Sequence, residues 1–224
     1  MAGVNGKTSP LVVLVACRAQ AGEEHLVAAL REQYSQDALL HLLRDPEPET
    51  QKAAAVALSL IGDEATGPLL ATALRTQDLG VHTVVEQSLW RFWFRSGDAE
   101  IDTLLRSGVR LIEARRFDEA CAVFNRVIEA KPDFAEGYNQ RAIVRYLMGE
   151  WDESIQDCQR VIDLNPVHFG ALAGLGHCYL QQHNVHAALA AYERALAVNP
   201  HMSGIRQRME QLREWLRHEG EALA

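Results

Sequence analysis

The amino-acid sequence predicts an all-α protein in which helical hairpins are stacked into two solenoids, one after the other. Two periodicities support this fold class. Pro132, Pro166 and Pro200 are spaced 34 residues apart, and residues 42–58 align with residues 73–89 at an offset of 31. Fixed periods of about 20–50 residues are typical of solenoids, in which each repeat is one small unit of secondary structure. In neither part do apolar and polar residues alternate as they would in β-strands.

Composition and charge limit the classes of partner. The chain has 224 residues, of which 48% are hydrophobic and 23% charged, as in ordinary globular proteins. Its formal net charge of −8 disfavours nonspecific attraction to nucleic acid or to anionic lipid. No apolar run reaches the roughly 18 residues of a membrane-spanning helix. We therefore expect a protein or peptide partner, no nucleic acid, no membrane span and a cytoplasmic location.

The N-terminus allows two interpretations. Lys7 precedes an apolar run that ends in Leu14-Val15-Ala16-Cys17, which resembles the lipobox of bacterial lipoproteins. The run over residues 11–16 is shorter than the apolar part of a signal peptide, which has about 7–15 residues. Ser9 and Pro10 instead suit the N-cap and the first position of a helix. We expect a first helix here, with a lipoprotein anchored at Cys17 as the alternative.

Residues 1–96 predict the first solenoid. The alignment at offset 31 pairs apolar residues with one another, and Gly62 suits the end of a helix between the two copies. The pattern resembles short HEAT repeats of the kind found in phycobilisome-lyase-like proteins, with a third, degenerate pair over residues 10–33. Lyases of that kind attach bilin chromophores to protein cysteines, which implies an enzymatic alternative for this part. The paired residues are Leu43 with Leu74, Ala54 with Val85, and Leu58 with Leu89.

The segment SLWRFWFRSG, residues 88–97, concentrates aromatic residues and arginines at the end of the first solenoid. On a helix, Val81, Val85, Ser88, Leu89 and Phe92 share one face, whereas Trp90, Trp93 and Phe94 lie on the others. A helix that is apolar nearly all round is usually buried on both sides. We therefore expect a packed seam between the solenoids rather than a surface for nucleic acid or membrane.

Residues 97–202 predict the second solenoid, built of three repeats. Overlaying the segments 101–134, 135–168 and 169–202 aligns small residues at one position in each helix of a hairpin. Small side chains let two helices approach closely, so these positions predict the contact within each hairpin. Each proline closes the second helix of its repeat, because proline cannot continue the backbone hydrogen bonds. The small residues are Gly108, Ala142 and Gly176 in the first helices and Ala120, Ser154 and Ala188 in the second.

These matched positions resemble tetratricopeptide repeats, and the resemblance covers residues 101–202. It implies that the first helices of the hairpins line a concave groove that binds peptides. Asp118 and Asp152 suit the N-caps of second helices. Residues 203–224 predict a C-terminal capping helix that covers the open end of the solenoid. Its apolar residues at helical spacing are Ile205, Met209, Leu212 and Leu216.

Patterns of catalytic and metal-binding residues are missing from the sequence. It contains no Gly-rich phosphate loop, no HExxH and no G-x-S-x-G. His183 and His186 lie near Cys178, but we interpret both as solvated histidines of a turn. Cys121 and Cys158, like Cys178, fall in apolar helical patterns and predict reduced thiols in the core. We expect no catalytic residues, no cofactor, no metal and no enzyme.

Two arginines occupy positions of the second repeat where apolar residues are usual. Arg141 and Arg145 need partners if they are buried, and Asp157 on the facing helix is the natural partner of Arg141. We expect a structural ion pair. A ligand-anchoring role for Arg145 is the alternative.

The candidate functional site is the groove along the first helices. The chaperone-binding subfamily uses a clamp of lysine, asparagine and arginine there, and this chain lacks it, because Leu105, Val109, Gln140, Gly170 and Gly174 hold the corresponding positions. An acidic chaperone tail is therefore not the expected ligand, and the capping helix could itself occupy part of the groove. The ten predicted groove residues are Arg106, Val109, Asn139, Gln140, Ile143, Tyr146, Ala173, His177, Leu180 and Gln181.

The lining mixes apolar and polar side chains, which favours a partly hydrophobic peptide or helix as ligand. We therefore expect a non-enzymatic scaffold for protein–protein interaction. The alternatives are a HEAT-like accessory or lyase-type protein and a lipid-anchored envelope assembly factor. The sequence leaves the oligomeric state open.

Overall fold

A computed structural model describes residues 9–17 and 22–222 of the chain. The chain forms two compact units, Met1–Phe92 and Trp93–Ala224. The described residues of both units are helical and contain no strand, in agreement with the predicted all-α class.

The described part of the first unit is built from short helices and one short 3-10 turn, Ala73–Arg75. Helix α1 has Ser9 at its N-cap position and Pro10 in its first turn, as predicted, although the Ser9 side chain makes no capping hydrogen bond. Gly62 ends α4, also as predicted. The helices are α1 (Pro10–Ala16), α2 (Glu23–Gln33), α3 (Gln36–Leu42), α4 (Pro48–Ile61), α5 (Thr66–Thr72) and α6 (Leu79–Trp93).

The core of the first unit contains the residues that the 31-residue alignment paired. All six are at most 8% exposed, because equivalent positions of the two copies point into the same core. They are Leu43, Ala54, Leu58, Leu74, Val85 and Leu89.

Helix α6 carries the aromatic segment across the boundary between the units, which falls between Phe92 and Trp93. Val81, Val85, Ser88 and Leu89 are buried, as their shared face predicted. Phe92, which was expected on that face, is half-buried, and so are Trp90 and Phe94. Arg91 lies 3.5 Å from the carboxylate of Glu23 on α2. The expected seam between the two solenoids stays a prediction.

The second unit consists of three hairpins, each with an A helix followed by a B helix, and one terminal helix. The A helices are α7 (Ala99–Glu113), α9 (Ala135–Met148) and α11 (Phe169–Gln181), and the B helices are α8 (Phe117–Ala130), α10 (Trp151–Leu164) and α12 (Val185–Val198). Each B helix ends two residues before Pro132, Pro166 or Pro200, as expected from the inability of proline to continue a helix.

Small residues bring the two helices of each hairpin together, as predicted. A Cβ atom added at Gly108 would lie 2.5 Å from Cε1 of Phe124 on α8, so an aromatic ring occupies the space that a side chain would need. Gly176 makes the same close contact with Tyr192 on α12. In the second hairpin, the hydroxyl of Ser154 donates a hydrogen bond of 2.8 Å to the carbonyl oxygen of Ala142.

The turn between the A and B helices contains a residue in the left-handed backbone conformation in every repeat. These residues are Arg115 (φ 58°), Gly149 (φ 81°) and His183 (φ 59°), again 34 positions apart. Only glycine adopts this conformation without steric cost, so the second repeat has the residue that the turn favours and the other two carry strain.

The predicted N-caps of the B helices are wrong by two positions. Arg116 and Glu150 hold the N-cap positions of α8 and α10, and neither side chain makes a capping hydrogen bond. Asp118 and Asp152 lie in the first turn instead. Their negative charge there stabilises the helix through its dipole rather than through a cap.

The terminal helix α13 (Ser203–Ala222) packs on α12. Ile205 and Met209 are 8% and 3% exposed and belong to the same apolar cluster as Tyr192. Leu212 packs on this cluster as a half-buried side chain. The apolar stripe that the sequence showed therefore covers the last repeat.

Candidate functional site

The structure divides the ten predicted groove residues by their exposure. Three are exposed and four are half-buried, so seven can contact a partner. The other three are buried at 4–6% exposure. The exposed residues are Arg106, Ile143 and Gln181, the half-buried ones are Val109, Tyr146, His177 and Leu180, and the buried ones are Asn139, Gln140 and Ala173.

Asn139 and Gln140 belong to a buried polar network rather than to an open surface. The side-chain amides of both donate hydrogen bonds to Oε1 of Glu136, at 2.9 and 2.6 Å. The other carboxylate oxygen, Oε2, lies 3.1 Å from Nε2 of His168. Both Glu136 and His168 have fully buried side chains. Asn139 and Gln140, which were predicted to line the groove, therefore use their amide groups inside the protein.

The hydrogen bonds of His168 fix its tautomer. Its Nδ1 accepts a hydrogen bond of 3.0 Å from the backbone N–H of Ala171 at the start of α11. A ring nitrogen that accepts carries no proton, so the proton of a neutral ring is on Nε2 and is donated to Glu136. The network therefore gives the buried carboxylate three donors, which is how proteins keep a buried charge stable.

Trp93 covers this network. Its ring stacks on His168 with 4.3 Å between centroids and lies 5.2 Å from the ring of Phe169. Trp93 and Phe169 are themselves buried, at 7% and 1% exposure. Trp93 thus lies on residues at the start of α11, and the expectation that the capping helix fills part of the groove stays a prediction.

The open part of the site lies further along the A helices. Ile143 and Leu147 are 40% and 48% exposed and stand one turn apart on the same face of α9. The amide of Gln181 donates a hydrogen bond of 3.1 Å to the hydroxyl of Tyr146. We call Ile143, Tyr146, Leu147, His177 and Gln181 the groove patch. Leu147 was missed, although it occupies the same position of its repeat as Gln181.

His177 is held in place by the tyrosines around it. Its Nδ1 lies 2.6 Å from the hydroxyl of Tyr192, and its ring is 6.4 Å from that of Tyr146. Burial lowers the pKa of His177, and the positive charge of Arg208 on α13 lowers it further. Burial raises the pKa of Tyr192 to about 12. Both groups are therefore neutral at pH 7, and the groove patch gains its polar character from dipoles rather than charges.

The clamp positions carry no basic side chain in the structure. Leu105 and Gln140 are buried, Val109 is half-buried, and Gly170 and Gly174 have no side chain to offer. A peptide carboxylate would find no guanidinium or ammonium group at these five positions.

The predicted ion pair between Arg141 and Asp157 is confirmed and extends to Arg145. Nε and Nη2 of Arg141 donate to the two carboxylate oxygens of Asp157, at 2.8 and 2.6 Å. Nη1 of Arg145 donates to the same carboxylate at 2.8 Å. Arg141 also donates to the side-chain oxygen of Asn125 on α8, at 2.7 Å. Because Asp157 is 4% exposed at its side chain, the cluster holds the hairpins together from inside.

The predicted thiols lie at different depths. Cys158 and Cys178 are buried, and the thiol of Cys178 lies 3.2 Å from the hydroxyl of Ser154. Cys121 is half-buried and Cys17 is exposed. His183 and His186 are both exposed, as expected of a turn. Over residues 9–17 and 22–222, no three or more His, Cys, Asp or Glu side chains are grouped to hold a metal ion.

The same described ranges contain no helix that has both the length and the apolar character to cross a bilayer.

Three family models match the chain. The model of HEAT repeats matches residues 7–90, and two models of the tetratricopeptide repeat match residues 105–169 and 170–202. These ranges contain the two periodicities of the sequence.

Two curated proteins are similar to about half of this chain. A TPR repeat-containing protein of Rhizobium etli is 35% identical over 108 residues, which are 48% of this chain and 53% of that protein. The Hsp70-Hsp90 organizing protein of Triticum aestivum is 26% identical over 105 residues, 47% of this chain and 18% of that protein. The chain thus spans about half of the first relative and less of the second.

Solved structures similar to the second unit show the fold. The Sgt2 TPR domain from Aspergillus fumigatus has a TM-score of 0.53 at 15% identity and covers 55% of this chain and 83% of that one. The first TPR of Spaghetti (RPAP3) was solved bound to an HSP90 peptide. It has a TM-score of 0.51 at 19% identity, and the match covers 53% of this chain and 95% of that one. By the family models, residues 105–202 therefore carry tetratricopeptide repeats and residues 7–90 carry HEAT repeats.

Proposed function

We propose that the protein is a non-enzymatic scaffold whose second unit binds a partly apolar segment of a partner protein at the groove patch. The observation that carries this proposal is the exposure of Ile143 and Leu147, two large apolar side chains that stand one turn apart on an A helix. Burying such a side chain in an interface contributes about 1.5–3 kcal/mol. Tyr146 and Gln181 border the pair with a hydroxyl and an amide that can orient a peptide backbone.

The chemistry of the groove favours an apolar ligand over an acidic one. The first TPR of Spaghetti (RPAP3) binds an HSP90 peptide, which supports peptide recognition as a use of this fold. The present chain lacks basic residues at the clamp positions, and His177 is neutral at pH 7 because burial lowers its pKa. An apolar anchor that packs on Ile143 and Leu147 fits this lining better than a carboxylate does. Arg106, Val109 and Leu180 remain predicted contacts along the same helices.

The proposal is tested by affinity capture with the variant Ile143→Asp/Leu147→Asp. Wild-type protein is immobilised and incubated with lysate of the native host, and bound chains are identified by mass spectrometry. The matched control is Leu79→Asp, which places one charge on a 66% exposed leucine of the first unit. We expect a partner that the wild type and the control capture equally and the double variant loses, while all three proteins have the same helicity by circular dichroism.

Equal capture of every partner by a well-folded double variant would overturn the proposal. A partner lost only in Leu79→Asp would instead assign the interaction to the HEAT-repeat unit.

A further inference from the structure

A second concave surface lies on the other side of the A helices from the groove patch. It is a cleft of about 360 Å³ between α10, α11 and α12, which we call the outer cleft. Leu175 and Tyr179 of α11 line it, and each is two residues from His177, about 200° away around the helix. Its lining residues are Gln159, Ile162, Asp163, Leu175, Tyr179, Ala187, Ala190, Ala191 and Arg194.

The repeat symmetry supplies an internal comparison for this cleft. Each lining residue has a counterpart 34 positions earlier, between the first and second repeats. There the counterparts of Leu175 and Tyr179 are Arg141 and Arg145, and that of Ala191 is Asp157. In that earlier position the two arginines meet on the carboxylate, at 2.6–2.8 Å, so charged side chains fill the space between the repeats.

The third repeat has none of the three residues of the ion cluster at the corresponding positions. Ala191 provides no carboxylate to hold a guanidinium group, and Leu175 and Tyr179 provide none to be held. The substituted side chains are mainly apolar or short, so six of the nine lining residues of the outer cleft are apolar or aromatic, and Gln159, Asp163 and Arg194 are its polar ones. Leu175 and Ala191 are 4% and 3% exposed, and Ile162 is 9% exposed. The space that Arg141 and Arg145 fill in one place is therefore an open apolar cleft in the other.

Two uncompensated charges stand at the rim. Asp163 and Arg194 are exposed, and in the described part of the chain neither side chain makes a hydrogen bond or an ion pair. The counterpart of Arg194 is Arg160, which lies over the ring of Tyr138 at 5.8 Å. In the third repeat the position of Tyr138 is taken by Leu172, so Arg194 has no such ring. An apolar cleft bordered by one free acid and one free base is complementary to an apolar side chain flanked by opposite charges.

We propose that the outer cleft is a second binding site, which accepts one large apolar side chain of a partner protein. The segment that carries this side chain has an acidic residue for Arg194 and a basic residue for Asp163. The volume is near the lower end of the roughly 300–1,000 Å³ of small-ligand pockets, which suits one side chain rather than an extended peptide. The site is independent of the groove patch, because the two occupy opposite sides of α11.

The probe for this site is N-acetyl-tryptophanamide, with N-acetyl-alaninamide as the probe without a large side chain. Binding is followed by the shifts of backbone amide resonances in the full-length protein. We expect saturable shifts in α10, α11 and α12 with the tryptophan probe and none with the alanine probe. The variant Ala190→Phe fills the cleft from its own lining and should weaken binding about tenfold or more.

Ala122→Phe is the matched control, because Ala122 is exposed at the same position of the first repeat, 68 residues earlier. It should bind the probe like the wild type, and so should Ile143→Asp/Leu147→Asp. Shifts confined to the groove patch, or equal binding by Ala190→Phe and Ala122→Phe, would overturn the proposal.

Sedimentation velocity separates a partner protein from a second copy of this chain. Trp215, 46% exposed on α13, is the one aromatic among the large apolar side chains that the described residues expose, so it is the side chain to remove in this test. A wild-type monomer at all concentrations supports a separate partner. Self-association that both Trp215→Ala and Ala190→Phe abolish would assign the cleft to a second copy and overturn the proposal as stated.

Discussion

At the scale of single residues, two glycines of α11 face different neighbours on the helices packed against it. A Cβ atom added at Gly176 would overlap the buried ring of Tyr192 and lie 2.6 Å from its Cδ1. A Cβ atom added at Gly174, two residues earlier on α11, would meet Cys158 Sγ at 3.5 Å, an ordinary contact. A methyl group would therefore clash at Gly176 and would fit at Gly174.

We predict that Gly176→Ala destabilises the protein by about 1–3 kcal/mol, because the ring of Tyr192 must move in a packed core. Gly174→Ala should leave stability unchanged or raise it by up to about 1 kcal/mol, since alanine favours the helix. Urea unfolding followed by circular dichroism measures both. Equal destabilisation by the two substitutions would contradict the packing role of Gly176.

The left-handed turn residues give a second prediction at this scale. His183 has φ 59° where the second repeat has Gly149, and a non-glycine residue there costs about 1–2 kcal/mol. His183→Gly should stabilise the protein by about 0.5–1 kcal/mol, because the greater freedom of glycine in the unfolded chain offsets part of the relieved strain. The reciprocal variant Gly149→Ala should destabilise it. The prediction fails if His183→Gly lowers the midpoint of urea unfolding.

At the scale of secondary-structure elements, the sequence predicted the helices of the second unit because their positions recur every 34 residues. Residues such as Gly108 and Ala120 are small in each copy, and equivalent positions are buried alike. The Glu136–His168 contact could not be predicted in this way. Its two residues are 32 positions apart, so they do not hold the same position in their repeats. Asn139 has its partner Glu136 three residues earlier on the same helix, and only the contact of Glu136 with His168 shows that this pair lies inside the protein.

Trp93 connects the end of α6 to this network, which leads to an element-scale prediction. Trp93→Ala should destabilise the second unit by about 3–5 kcal/mol, because a cavity opens over the stacked ring of His168. Amide hydrogen exchange should accelerate in α9 and α11, the helices that carry Glu136 and Phe169. Trp215→Ala removes an exposed tryptophan and serves as the control. Unchanged exchange in α9 and α11 after Trp93→Ala would show that the network is stable without its cover.

At the scale of the whole molecule, the repeats explain why the sequence predicts the fold more completely than it predicts the binding site. A repeat fixes a pattern of burial, so the fold class follows from the period. A binding surface depends instead on where one copy departs from the others. Leu175 and Ala191 replace Arg141 and Asp157 within the same pattern, and that departure forms the outer cleft. A position-by-position comparison of the repeats could have located the outer cleft from the sequence.

The net charge of the chain leads to the last prediction, which concerns the arginines of the aromatic segment. With a charge of −8 the molecule repels polyanions, and Arg91 is already 3.5 Å from a carboxylate of Glu23. We expect no saturable binding of a fluorescein-labelled DNA duplex or single strand at physiological salt, where basic proteins bind nonspecifically at about 10⁻⁴–10⁻⁶ M. Fluorescence anisotropy measures this, with Arg91→Glu/Arg95→Glu as the paired variant. Binding that weakens steeply with salt and disappears in this variant would show that local positive charge outweighs the charge of the whole chain, and the aromatic segment would then be a nucleic-acid surface.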